Sequence, residues 1–92
     1  MIKLSYTEAA QRDLLNYYVK KNEELGSLLA DEGIDALFER CEDIARFPEM
    51  GRRRPSLDAF GLSVHGVNES DQTIFYTRRG STLHVVRVLA TK

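Results

Sequence analysis

The residues of this 92-residue chain best equipped for chemistry are arginines, and their placement is uneven. Three stand together as Arg52, Arg53 and Arg54, two more are Arg78 and Arg79 beside Gly80, and Arg87 sits alone inside the run Thr82-Leu-His-Val-Val-Arg-Val-Leu89. A guanidinium is always charged, and its planar fork of donors matches a carboxylate or a phosphate in two-point fashion. Burying one without a partner is prohibitive. Arg87 must therefore reach either a carboxylate on a helix of the same fold or an acidic segment of a partner. Strand alternation puts Arg87 on the face of Leu83, Val85 and Leu89, with Val86 and Val88 opposite. If Val86 and Val88 face the helices, Arg87 points to an open sheet face, next to Phe75 or Tyr76 on the neighbouring strand.

Other chemistries find little support. Cys41 lies mid-stripe on a predicted helix and reads as a core residue, not a nucleophile. His65 and His84 fall on different strands without companions at ligand spacing, so no metal site is assigned. There is no glycine-rich phosphate loop, no nucleophile elbow and no pair of carboxylates on one sheet face. The residues assign no catalytic set and imply no cofactor.

Net charge is −1, but the halves differ: residues 1–45 carry −5 and residues 46–92 carry +4. The basic excess, Arg46, Arg52, Arg53, Arg54, Arg78, Arg79, Arg87 and Lys92, lies on the predicted sheet side or its approach. Such polarity suits an acidic partner on one face. Overall acidity argues against a protein that holds nucleic acid by charge alone. Apolar residues make up 42% and charged residues 29%, the balance of a globular domain. No apolar run approaches the roughly 20 residues of a membrane span. Residues 1–6 read as a strand and not as a signal peptide. A lone cysteine fits a reducing cytoplasm. At this length the chain is expected to be one domain, 1–92.

The elements that must position the arginines follow from periodicity. Residues 2–6 alternate as a half-buried strand. Ser5-Tyr-Thr-Glu8 fits a capping box, with Thr7 the competing cap, and opens a helix to about Asn22. Its stripe is Ala10, Leu14, Tyr17 and Tyr18, where the tyrosines read as packing. Gly26 is the break. A second helix carries Ile34, Leu37, Phe38, Cys41, Ile44 and Ala45, beginning after Gly33 and ending at Pro48. Strands are expected at 60–67, 72–77 and 82–89. Arg78-Arg79-Gly80-Ser81 is a turn in which Gly80 takes φ > 0. The fold class is α+β: an N-terminal strand, an antiparallel helical hairpin, then a three-stranded antiparallel meander forming one small sheet packed on the helices.

That order, with Phe47-Pro-Glu-Met-Gly51 before the basic loop, then Ile74-Phe-Tyr76 and Arg87-Val-Leu89, resembles the ParE/RelE toxin superfamily of type II toxin–antitoxin systems. It is closest to the ParE branch, over essentially the whole chain. The resemblance implies that the first strand lies beside the C-terminal ones. It implies a cytoplasmic toxin associated with plasmid stabilisation. Such a toxin inhibits DNA gyrase by protein–protein contact and is neutralised by the C-terminal segment of a cognate antitoxin. Charge and placement make Arg52, Arg53, Arg54, Tyr76, Arg78, Arg79 and Arg87 the candidate partner-binding residues, and of these Arg87 matches the arginine of the family's terminal Arg-Val-Leu motif. The alternative it raises is a RelE-type ribosome-dependent mRNA endonuclease. Such enzymes draw basic and aromatic residues from beyond the last strand, where this sequence has only Ala90-Thr-Lys92. The expectation is thus an inhibitor and not an enzyme, with an apolar and acidic antitoxin segment crossing the helical hairpin to the basic sheet edge.

Overall fold

The structure, a computed structural model, describes residues 2–58 and 63–91. It places β1 at Lys3–Tyr6, α1 at Glu8–Leu25, α2 at Ser27–Arg46, β2 at Arg52–Arg53, β3 at Val64–Glu69, β4 at Gln72–Arg79 and β5 at Thr82–Ala90. Short 3₁₀ turns at Pro48–Met50 and Pro55–Leu57 flank β2. Thr7 caps α1: its hydroxyl accepts from the Ala10 N–H at 3.1 Å and donates to the Val86 carbonyl at 2.9 Å. One side chain thus satisfies an orphan helix donor and ties the helix start to β5. Gly26 alone joins the helices, at φ 88°, a conformation a side chain would resist. Helix α2 starts seven residues before the start expected after Gly33, and Gly33 is no start signal: the Tyr17 hydroxyl occupies the space its side chain would need. Phe47, just before Pro48, leaves helical geometry as expected.

All five strands form one sheet in the order β1-β5-β4-β3-β2. The predicted meander β3-β4-β5 is antiparallel, and β1 runs parallel to β5, with Leu4 opposite Leu83 and Tyr6 opposite Val85. The basic loop contributes an unforeseen strand, with Arg52 opposite Gly66 and Arg53 opposite His65. The β3 strand is found at Val64–Glu69, and the part of the expected strand over residues 60–62 lies outside the described residues. The last turn tightens to two residues, Gly80-Ser81, with Gly80 at φ 60°.

One irregularity decides where Arg87 points. Register runs Tyr76 to Val85 but Phe75 to Arg87, so Val86 has no partner of its own. This β-bulge inverts the alternation. Leu83 and Val85 face the helices, and after the bulge Val88 does so instead, opposite Ile74. The expectation that Val86 and Val88 share the inward face is therefore wrong for Val86. Arg87 does leave the core, because the extra residue rotates it outward with Phe75. Between helices and sheet lie Ala10, Leu14, Leu37, Cys41, Ile44, Val67, Ile74, Tyr76, Leu83, Val85 and Val88. Burial pushes the Cys41 thiol up to about 11, so it stays protonated and inert in this core.

Candidate functional site

Strand β1 ends at Tyr6, so β5 beyond Val85 would expose a row of ladder groups. Helix α1 covers that edge. Asp13, projecting from it, accepts the Val88 N–H at 2.9 Å and both Arg87 Nε at 2.7 Å and Nη2 at 3.0 Å. The guanidinium bends around the strand from the outer face to make this two-point contact. Its side chain remains 48% exposed against 11% for Asp13. Burial alone would raise the Asp13 carboxyl, but the bonds from Arg87 and Val88 outweigh it and hold the group below its ordinary range. Of the two partners the sequence left open for Arg87, a helix carboxylate is present in the fold.

Of Phe75 and Tyr76, the two residues expected beside Arg87 on the open face, Phe75 is opposite it and Tyr76 is not there. The Tyr76 side chain is 1% exposed and points into the helix-facing layer. Its hydroxyl donates to the Pro48 carbonyl at 2.6 Å and accepts from the Gly51 N–H at 2.9 Å. Regular alternation along β4 explains the face: Tyr76 lies inward with Ile74, two residues away, and Phe75 between them stays out. Tyr76 thus pins the loop after α2, and with it the start of β2. Arg53 pairs with Asp58 at 2.7 Å, and the other Asp58 oxygen accepts the Val64 N–H at 2.9 Å. Together those two bonds lower the Asp58 carboxyl. Arg54 lies across the outer face, 5.8 Å above the Phe75 ring. Arg78 turns back to the Gly80 carbonyl at 3.0 Å, and Arg79 is exposed beside it at the hairpin tip. The six arginines occupy three separate places: the β2 edge, the β4–β5 tip and the α1–β5 junction.

The most apolar concavity lies elsewhere. Leu4, Tyr6, Leu14, Leu15, Tyr18, Ile34 and Phe38 line a groove of about 570 Å³ along β1 and the two helices. Leu15 is 61% exposed and Phe38 41%, and Phe38 meets Tyr6 edge-on at 5.8 Å between ring centres. Tyr18 hydrogen-bonds Asp31 at 2.7 Å, bracing α1 against α2 across the groove. Val19, Leu25, Leu28 and Leu29 continue the exposed apolar surface along the hairpin.

A family model described as the ParE toxin of the type II toxin–antitoxin system, parDE, matches residues 4–92. The chain belongs to the ParE toxin family. No curated relative matches the sequence. A solved structure titled as a chromosomal ParDE toxin–antitoxin system from P. aeruginosa shares the fold, with a TM-score of 0.80 at 18% identity, covering 100% of this chain and 98% of that one.

The groove lies away from the arginines that stand out in the sequence. Leu14 and Leu15 are adjacent, so only one of them can join the core stripe, and Leu15 had to face outward. That signal was present, as were the off-stripe Val19, Leu28 and Leu29. Phe38 was assigned to the core by its spacing, yet it sits at the groove mouth. Asp13 had no signal, since a carboxylate on a helix is ordinarily solvated.

Proposed function

We propose that this ParE-family toxin acts in the cytoplasm by protein–protein inhibition of DNA gyrase and is neutralised by the C-terminal segment of a cognate antitoxin. The apolar groove is the observation that carries the antitoxin half of this reading. Soluble monomers rarely leave a contiguous apolar channel open, and an amphipathic segment with anchors at helical spacing would fill this one. Folding on binding would let such a segment cover the groove and continue along the hairpin. Its acidic residues would meet the basic half of the chain.

The gyrase half is supported by family membership and by what the arginines do. Arg53 and Arg87 are committed to Asp58 and Asp13, Arg78 and Arg79 sit at the hairpin tip, and Arg52 and Arg54 lie at the β2 edge. Spread over three places, these arginines suit recognition better than RNA cleavage, which needs a base, an acid and phosphate-binding groups together. Co-expression with the product of the adjacent reading frame should yield a stable complex that is lost in Leu15→Glu. A supercoiling assay should show gyrase inhibition while ribosome-bound mRNA stays intact. Cleaved mRNA with unaffected supercoiling would replace this reading with the endonuclease.

A further inference from the structure

The second concavity with unspent chemistry lies at the far edge of the sheet from the groove. The groove borders β1, and β2 is the opposite edge, four strand spacings or roughly 19 Å away. Strand β2 is only two residues long and pairs with His65 and Gly66 alone. The Val64 carbonyl accepts from the Arg54 N–H at 2.6 Å, which shows that Val64 turns its backbone groups toward β2. By the alternation of an antiparallel ladder, Gly66 and Asn68 do the same. Among the described residues nothing pairs with the Asn68 backbone on that side. A short stretch of β3 is therefore an open edge.

Around that edge Arg40, Met50, Arg52, Arg54, Gly66 and Asn68 enclose about 500 Å³. Three guanidiniums converge there, from α2, β2 and the loop after it. Glu69, 3.5 Å from the Arg40 Nε, is the one carboxylate paired with any of them among the described residues, leaving positive charge in excess. The Arg54 Nε is buried and has no hydrogen-bond partner. It is held there by the Phe75 ring below and by Gly66, where a Cβ would stand 3.3 Å from it. A buried, unpaired guanidinium N–H is costly, and an incoming oxyanion would remove that cost.

We propose that this cleft is a second docking site, taking an acidic, extended segment of a partner protein that adds to the sheet alongside β3. The free Asn68 N–H and carbonyl suit a peptide, because a strand offers a matching acceptor and donor at the right spacing. The guanidiniums select carboxylates on the residues flanking that pairing. An acidic chain overall disfavours the competing phosphate backbone. The proposal deepens the antitoxin reading, on which it rests for the acidic partner, but the cleft is separate from the groove and its occupancy can be measured without antitoxin or gyrase.

The test uses the full chain, isotopically labelled, and the hexapeptide acetyl-Glu-Val-Glu-Val-Glu-Val-amide. Saturable shifts are expected at the Asn68 amide and at the side-chain Nε–H of Arg52 and Arg54, with slowed exchange at Asn68. Arg52→Ser, at an exposed position, should weaken binding at least tenfold. Arg54→Lys keeps the charge but loses the buried Nε donor, and should also weaken it. The same peptide N-methylated at alternate residues should bind at least tenfold more weakly, since it cannot pair as a strand. The proposal is overturned by no shift at Asn68 with millimolar peptide, or by equal binding of the methylated peptide. It is also overturned if a twelve-residue oligo-dT moves the same signals at lower concentration.

Discussion

Replacing Tyr76 by Phe removes one oxygen and nothing else from a side chain that is 1% exposed. The ring would keep its stacking on His65, 5.6 Å between centres, and its place among the core residues. What is lost is the pair of bonds to the Pro48 carbonyl and the Gly51 N–H, at 2.6 and 2.9 Å. Each such bond contributes about 1 kcal/mol net, and an orphaned, part-buried backbone group costs about 1–3 kcal/mol. Two groups are orphaned together at a loop that water can partly reach, so the loss should be about 2–3 kcal/mol. For a domain of this size that is a fall in Tm of roughly 10–20 °C. Urea unfolding should show a lower midpoint with an unchanged m-value, because the surface exposed on unfolding is the same. Amide exchange should quicken first at Gly51 and then through β2, whose start the hydroxyl fixes. Binding of the acidic peptide at the Arg52–Arg54 cleft should weaken in parallel. A stability loss under about 0.5 kcal/mol with Gly51 exchange unchanged would refute the claim that this hydroxyl holds the loop.

Gly51→Ala approaches the same lock from the other side: a Cβ would overlap the Tyr76 hydroxyl and ring edge, and the φ of −83° gives no other reason for glycine. A loss of about 1–3 kcal/mol is expected from this overpacking, partly relieved in the Tyr76→Phe background, as a double-mutant cycle would reveal. Asp13→Ala should destabilise by about 2 kcal/mol in urea unfolding, because it orphans the Val88 N–H as well as Arg87. Arg87→Ala should cost clearly less, since Asp13 then still caps the strand edge; equal losses would contradict this division of labour. Acidification provides a further check. The Asp13 carboxyl lies below its ordinary 3.8 in the folded chain, so its contribution is full above about pH 4 and is lost as pH falls through the folded value. Asp13→Asn should flatten that acid limb of the stability profile. Leu15→Glu, at a position 61% exposed, should leave Tm within about 2 °C and abolish co-purification with the antitoxin.

The alternation of β1, the stripes of the two helices, the stop at Pro48 and the Gly80 turn were all legible from local chemistry. Each rests on residues within a few positions of one another. That is why strand, helix hairpin and meander could be ordered from the chain alone, and why Cys41, Leu37 and Ile44 were placed in the core. Gly33 misled the reading of α2, because its reason for being glycine is the Tyr17 hydroxyl of another helix. The two-residue β2 was invisible, since Arg52 and Arg53 carry no strand signature and are held by pairing with β3.

What the arginines do was decided in three dimensions. Sequence supplied a cation inside an apolar strand and the certainty that it needed a counter-charge. It could not supply the bulge at Val86, which sends Arg87 out, because a bulge depends on how two strands pair and not on either alone. Asp13, 74 residues away, meets Arg87 only because α1 covers the edge that β1 leaves open. Composition and periodicity set which groups must be satisfied; which partner satisfies each depends on register and on the packing of distant elements.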